Sequence, residues 1–221
     1  MRRIAFSIVF LSAAASAFAQ QWEFGALAGG GFLSNVSASG AGSLGSATAG
    51  FAPGAAFGAF FGNSLYRNFT GEVRYEYMQN DLRLSSGGQT AQFTGVAHAL
   101  HYDVVYHTNR SESPMQFFAS LGGGMKLYRG TGKEEAYQAL SQFGYFTKTQ
   151  AIKPMVSIGG GFTYRLSPKL ILRAEIRDFI TPFPTQVLTP APGIKYGSIL
   201  QDFVPMIGIT YVYGGANSPA F

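Results

Sequence analysis

The most regular pattern in the chain lies between residues 156 and 177, where a two-residue alternation is written twice. Val156, Ile158, Phe162 and Tyr164 fall on one side, and Ser157, Gly159, Gly161, Thr163 and Arg165 on the other. After Leu166-Ser167-Pro168-Lys169 the alternation resumes, with Leu170, Leu172, Ala174 and Ile176 against Ile171, Arg173, Glu175 and Arg177. Successive side chains of a strand point to opposite faces, so two such runs around a Ser-Pro turn predict an antiparallel hairpin. Read along the whole chain, the pattern predicts eight strands, at residues 21–32, 50–61, 67–84, 90–107, 115–129, 148–166, 169–180 and 199–213.

The two faces are unusual in content. In the third strand Phe69, Val73, Tyr75 and Tyr77 oppose Thr70, Glu72, Arg74 and Glu76. In the fourth, Val96, Leu100, Tyr102, Val104 and Tyr106 oppose Ala97, Ala99, His101, Asp103 and His107, and in the fifth Phe117, Leu121 and Met125 oppose Ser120 and Lys126. A water-soluble β protein scatters its charges outside and keeps its large side chains within. Here charges of opposite sign stand two residues apart on one face, where they can pair, and the large apolar side chains fill the other. An enclosed charged face and an apolar face turned to lipid satisfy both conditions. The expected fold is all-β, an eight-stranded antiparallel up-and-down transmembrane barrel, with lumen charges Glu23, Glu72, Arg74, Glu76, Asp103, Lys126, Arg173, Glu175 and Arg177.

Connector lengths alternate long and short, as in barrels with short periplasmic turns and long extracellular loops. Residues 62–66 and 108–114 and the Ser167-Pro168 turn form the short side. On the long side, residues 33–49 are Gly/Ser/Ala-rich and expected to be flexible, and residues 85–89 carry Gly87-Gly88. In the third long loop Thr131 and Glu134 have capping-box spacing, Ala136, Leu140 and Phe143 share a helical stripe, and Gly144 could end it, which predicts one short helix. Pro182, Pro184, Pro190 and Pro192 stiffen the fourth.

The N-terminus adds a targeting segment. Arg2 and Arg3, an apolar run and Ala17-Phe18-Ala19 read as a signal peptide over residues 1–19, leaving residues 20–213 for the barrel and 214–221 as a C-terminal tail. Removing Arg2 and Arg3 lowers the formal net charge from +5 to +3. That excess is too small and too scattered for a nucleic-acid surface. The chain has no Cys, which excludes a lipid-anchored lipoprotein, a disulfide framework and thiolate chemistry.

The strand count, the turns and the stretch from Ser157 to Arg177, S-I-G-G-G-F-T-Y-R-L-S-P-K-L-I-L-R-A-E-I-R, resemble small outer-membrane β-barrel proteins of the OmpA transmembrane-domain, OmpX and OmpW type. The resemblance implies a bacterial outer-membrane location among lipid and lipopolysaccharide. It also implies recognition by the barrel-assembly machinery through an aromatic-ended last strand, for which Gly208, Tyr211 and Tyr213 have the spacing, although Phe221 ends the chain eight residues later.

Candidate chemistry is sparse. His98, His101 and His107 share one predicted strand, but parity turns His98 outward and the other two inward, so they do not converge on a metal or a nucleophile. A lipid A-modifying enzyme is left with His101 and Asp103 alone. Gly130-Thr131-Gly132-Lys133 lacks the upstream Gly of a phosphate loop and has Glu134 where Ser or Thr is required. No catalytic residue, metal or cofactor is therefore expected. An eight-stranded barrel has an interior just filled by side chains, so the lumen charges predict a plug in a monomeric structural or surface-interaction protein whose loops meet partners. A narrow channel for small or apolar solutes is the alternative, and a soluble lipocalin-like binder a third reading.

Overall fold

The computed structural model describes residues 21–40, 45–108, 113–130, 138–147 and 149–214. The expected leader, residues 1–19, and the tail from residue 215 onward lie outside them. The first eight strands in chain order are β1 (Trp22–Leu33), β2 (Val36–Gly40), β3 (Ser46–Phe51), β4 (Gly54–Tyr66), β5 (Phe69–Gln79), β6 (Leu82–Ser86), β7 (Gln89–Phe93) and β8 (Gly95–His107). They are followed by β9 (Met115–Gly130), β10 (Gly144–Phe146), β11 (Gln150–Ser167), β12 (Leu170–Pro182), β13 (Leu188–Pro190), β14 (Ile194–Tyr196) and β15 (Ile199–Tyr213).

Eight of these close a barrel in the order β1-β15-β12-β11-β9-β8-β5-β4, every neighbour antiparallel. The opening hairpin of the sequence is β11–β12, with Phe162 opposite Ala174 and Thr163 opposite Arg173. Alternation sets the two faces as expected. Outward-facing Leu100, Leu121, Ile176 and Ile207 are 52–60% exposed, while inward-facing Glu72, Asp103 and Lys126 are fully buried. Rings gather at the short-turn end: Trp22 stacks on Phe61 with centroids 4.8 Å apart, and Phe69 lies 5.2 Å from Tyr106. Such a girdle marks a membrane interface. Among the described residues no helix is long and apolar enough to cross a membrane; the apolar wall belongs to strands.

At the opposite end the long loops build structure of their own, which corrects several expectations. Residues 33–49, expected to be flexible, supply β2 and β3 of a five-stranded sheet ordered β14-β2-β3-β6-β7, and β10 pairs with β13 beside it. Alternation does operate there, but on small residues: Val36, Ala38, Ala47 and Ala49 are buried, while Ser37, Ser39, Ser46 and Thr48 are exposed. The predicted second strand splits, because Gly50 and Phe51 belong to β3 and the chain bends at Ala52-Pro53 before β4. Its turn also moves. Residues 62–66 continue the strand, and Arg67-Asn68 make the turn, with Arg67 at φ 40. The predicted third and fourth strands run past the barrel rim, break at Asn80-Asp81 and Thr94, and continue as β6 and β7 in the outer sheet.

The predicted helix is not observed among the described residues. Residues 131–137, with Thr131, Glu134 and Ala136, lie outside them, while Leu140 and Phe143 form turns, Leu140 at φ 62. Gly144 opens β10 rather than ending a helix. Leu140 and Phe143 instead join Phe51, Leu84, Phe183 and Leu188 in the apolar core beneath the outer sheet. Tyr196 donates from its hydroxyl to the Phe143 carbonyl at 3.0 Å, and burial, helped by Tyr145, pushes that phenol above its ordinary pKa. The β6–β7 hairpin turns on Gly87 and Gly88 at φ 57 and 82, the left-handed pair that a two-residue primed turn requires. Gly88→Ala should therefore cost about 1 kcal/mol locally. Hydrogen exchange across β6–β7 should accelerate while the barrel's own thermal transition stays in place.

Candidate functional site: the charged lumen

In the barrel order β5 and β12 stand diametrically opposite, four strands apart either way round. Each sends three charges inward by alternation, Glu72, Arg74 and Glu76 from β5 and Arg173, Glu175 and Arg177 from β12. Several of the strands between them, β9 and β11 among these, face the lumen with glycines, which leaves room for long side chains to lie across it. A Cβ on Gly159 would come within 2.9 Å of Arg177 Cγ, and one on Gly122 would overlap the Asp103 carboxylate. Parts of the Gly-rich triplets are thus the spaces into which the network fits.

The ion pairs span the diameter. Arg173 donates to Glu72 at 2.6 Å across the lumen and to Glu175 at 2.7 Å on its own strand. Arg74 reaches back from β5 to Glu175 and also holds Glu72 at 2.8 Å and Glu76 at 3.4 Å. Arg177 donates to Glu175 at 2.9 Å, to the Asp103 carboxylate of β8, and to Ser157 Oγ at 3.2 Å. The Arg173 guanidinium is held between two rings, 4.7 Å from the Phe60 centroid and 4.3 Å from that of Phe118. Planar cations stacked on rings and forked onto carboxylates are what Arg, and not Lys, provides.

A second layer lies nearer the long-loop end. Lys126 donates to Asp202 at 2.5 Å, with its ammonium 5.1 Å from the Tyr128 ring and 5.6 Å from that of Phe179. Asp202 is fully buried and was absent from the expected set. Parity would have found it: with Tyr211 and Tyr213 outward on β15, every even position there faces inward.

No protein-family model and no curated protein matches this chain. Solved structures do. Neisserial surface protein A (NspA) superposes with a TM-score of 0.51 at 12% identity, covering 86% of this chain and 96% of that one. The outer membrane protein OprG from Pseudomonas aeruginosa gives 0.53 at 13%, covering 87% and 96%. The outer membrane protein AlkL, solved in lipid bilayers, gives 0.50 at 14%, covering 91% and 94%. The fold is that of a small outer-membrane β-barrel. At these identities the likeness is one of fold, and the site rests on this chain's own geometry.

Within this outer-membrane barrel fold the remaining expected residues fall as follows. Glu23 is buried on β1. It lines a small cavity of about 10 Å³ near the short-turn end with His107, Gln116, Arg165, Arg173 and Thr210, room for about one water. His101 lies between two carboxylates, its Nδ1 2.9 Å from Asp103 and its Nε2 3.8 Å from Glu76. His107 approaches Thr70 Oγ1 at 3.4 Å, and His98 faces outward against Tyr75, so the three histidines do not converge. Among the described residues no group of three or more metal-ligating side chains is assembled. Gly208 packs its bare Cα against the β1 backbone at Ala26 and Leu27, and Tyr211 and Tyr213 project outward at the short-turn end.

Proposed function

We propose that the protein is a non-conducting barrel of the bacterial outer membrane whose loop-built sheet stands at the cell surface as a structural or partner-binding platform. The observation that carries this reading is the cross-lumen layer in which Arg173 is clamped between Phe60 and Phe118 while bridging Glu72 and Glu175. In an interior just wide enough to be filled by side chains, such a layer leaves no continuous path for a hydrated ion. The short-turn end, with both ends of the barrel chain, faces the periplasm, and the five-stranded sheet faces outward.

The protein acts as a monomer among lipid and lipopolysaccharide in a non-enzymatic role; both nitrogens of His101 face carboxylates, those of Asp103 and Glu76. Gly208, Tyr211 and Tyr213 form the signal read by the barrel-assembly machinery. Single-channel recording of the purified full chain in planar bilayers should show no conductance steps. Regular steps would replace the plug with the alternative reading, a narrow channel for small solutes.

A further inference from the structure

The outward wall is apolar except where it nears the long-loop end, and there its polar residues are not evenly distributed. Tyr106, in the lower aromatic girdle, and His98 lie eight residues apart on β8. At a rise of about 3.4 Å per residue and a tilt of about 40°, that is about 21 Å along the barrel axis. Arg129 pairs with Val96, two residues further on, at about 26 Å by the same reckoning. The lipid-facing band of such barrels is about 25 Å tall. His98 and Arg129 therefore sit at the upper boundary of that band, where Gln79 and Gln150 are also exposed.

His98 and Arg129 are diagonal neighbours on one face of the β8–β9 pair, close enough for a single group to touch both. The His98 ring is held in place, its Nδ1 2.8 Å from the Tyr75 hydroxyl and its edge against Tyr77 at a centroid distance of 5.5 Å. In the tautomer in which that hydroxyl donates to Nδ1, the ring carries its proton on Nε2. In that tautomer an N–H donor level with the lipid-facing Leu127 and Ile152 stands beside an exposed guanidinium, a pairing suited to an anionic group carried on acyl chains. Across β11 from β9 the wall changes character. On β12, eight residues above the turn at Leu170, the outward position is a carboxylate, Asp178, hydrogen-bonded by Gln201 at 3.1 Å.

We propose that the outward face of β5, β8 and β9 binds the phosphate of a phosphorylated lipid headgroup in the outer leaflet, between Arg129 and His98, while the Asp178 sector rejects it. The inference rests on the membrane-spanning reading of the barrel but not on whether the lumen conducts. The test uses the full chain in detergent, with native mass spectrometry counting retained lipid when phosphorylated lipid A or its dephosphorylated form is added. The wild type should favour the phosphorylated lipid about fivefold or more. Arg129→Gln should abolish that preference and His98→Gln should weaken it, while Arg67→Gln at the opposite rim leaves it unchanged. Heat-modifiable gel mobility confirms that each variant is a folded barrel, and Arg129→Lys, which keeps the charge without the fork, should fall between wild type and Arg129→Gln.

Equal retention of the two lipids by the wild type would overturn the proposal, as would a preference that survives Arg129→Gln. Displacement of the lipid by millimolar inorganic phosphate would overturn it too, by making the site one for a free anion. A wild-type protein with no heat shift would overturn the barrel's membrane insertion together with this site, whereas conductance steps would overturn only the plug.

Discussion

Arg173→Ala is expected to lower the stability of the folded barrel by about 3–5 kcal/mol, the cost of leaving buried carboxylates without their counter-charge. The guanidinium makes both the 2.6 Å contact to Glu72 across the lumen and the 2.7 Å contact to Glu175, and all three side chains are almost wholly buried. Removing it also empties the space between Phe60 and Phe118. Urea unfolding in lipid vesicles, followed by fluorescence of Trp22, the chain's single tryptophan, should show the midpoint falling. Arg173→Lys should recover only part of the loss, because an ammonium cannot fork between two carboxylates and lie flat between two rings. An unchanged midpoint in Arg173→Ala would show that the network does not hold the barrel.

The second large effect is expected at Lys126→Met, about 3 kcal/mol or more, since Asp202 would remain buried and charged without its partner. The direct contact between the two can be isolated by a double-mutant cycle. Lys126→Met with Asp202→Leu should regain most of the stability lost by Lys126→Met alone, because an apolar pair of similar volume replaces the ion pair in a region already lined by Phe179 and Tyr128. Additive losses in the double variant would mean that the 2.5 Å contact contributes no coupling.

These residues show what the sequence carried and where it stopped. Period-2 alternation sufficed to turn Glu72, Arg74 and Glu76 inward and Tyr75 and Tyr77 outward, because each face of β5 holds residues of strongly contrasting character. An up-and-down order of eight strands sets the third and seventh opposite, so Glu72, Arg74 and Glu76 read as partners of Arg173, Glu175 and Arg177 across the lumen. Which acid each arginine takes is set by side-chain geometry that no local pattern encodes. Asp202 was legible by parity but is a lone charge among Leu200, Val204 and Met206, without the alternating signs that marked the other strands.

The outer sheet was harder to read for a different reason. Ala38, Ala47 and Ala49 bury little area each, so the alternation of β2 and β3 is faint and their Ser and Gly neighbours read as a linker. At Asn80 and Thr94 the opposite difficulty arose. The alternation continues in phase through both breaks, and the chain leaves the barrel wall for the second sheet without any change in period.

The diametric position of β5 and β12 has a mechanical consequence. A thin-walled cylinder under lateral pressure from the surrounding bilayer yields first by flattening into an ellipse. The contacts from Arg173 to Glu72 and from Arg74 to Glu175 are ties along one diameter, and Lys126 to Asp202, from β9 to β15, is a chord at another angle and another height. Together they brace the circular cross-section in two directions. Because β5 and β8 run on into β6 and β7, a load on the outer sheet is passed along covalent backbone into the same braced section.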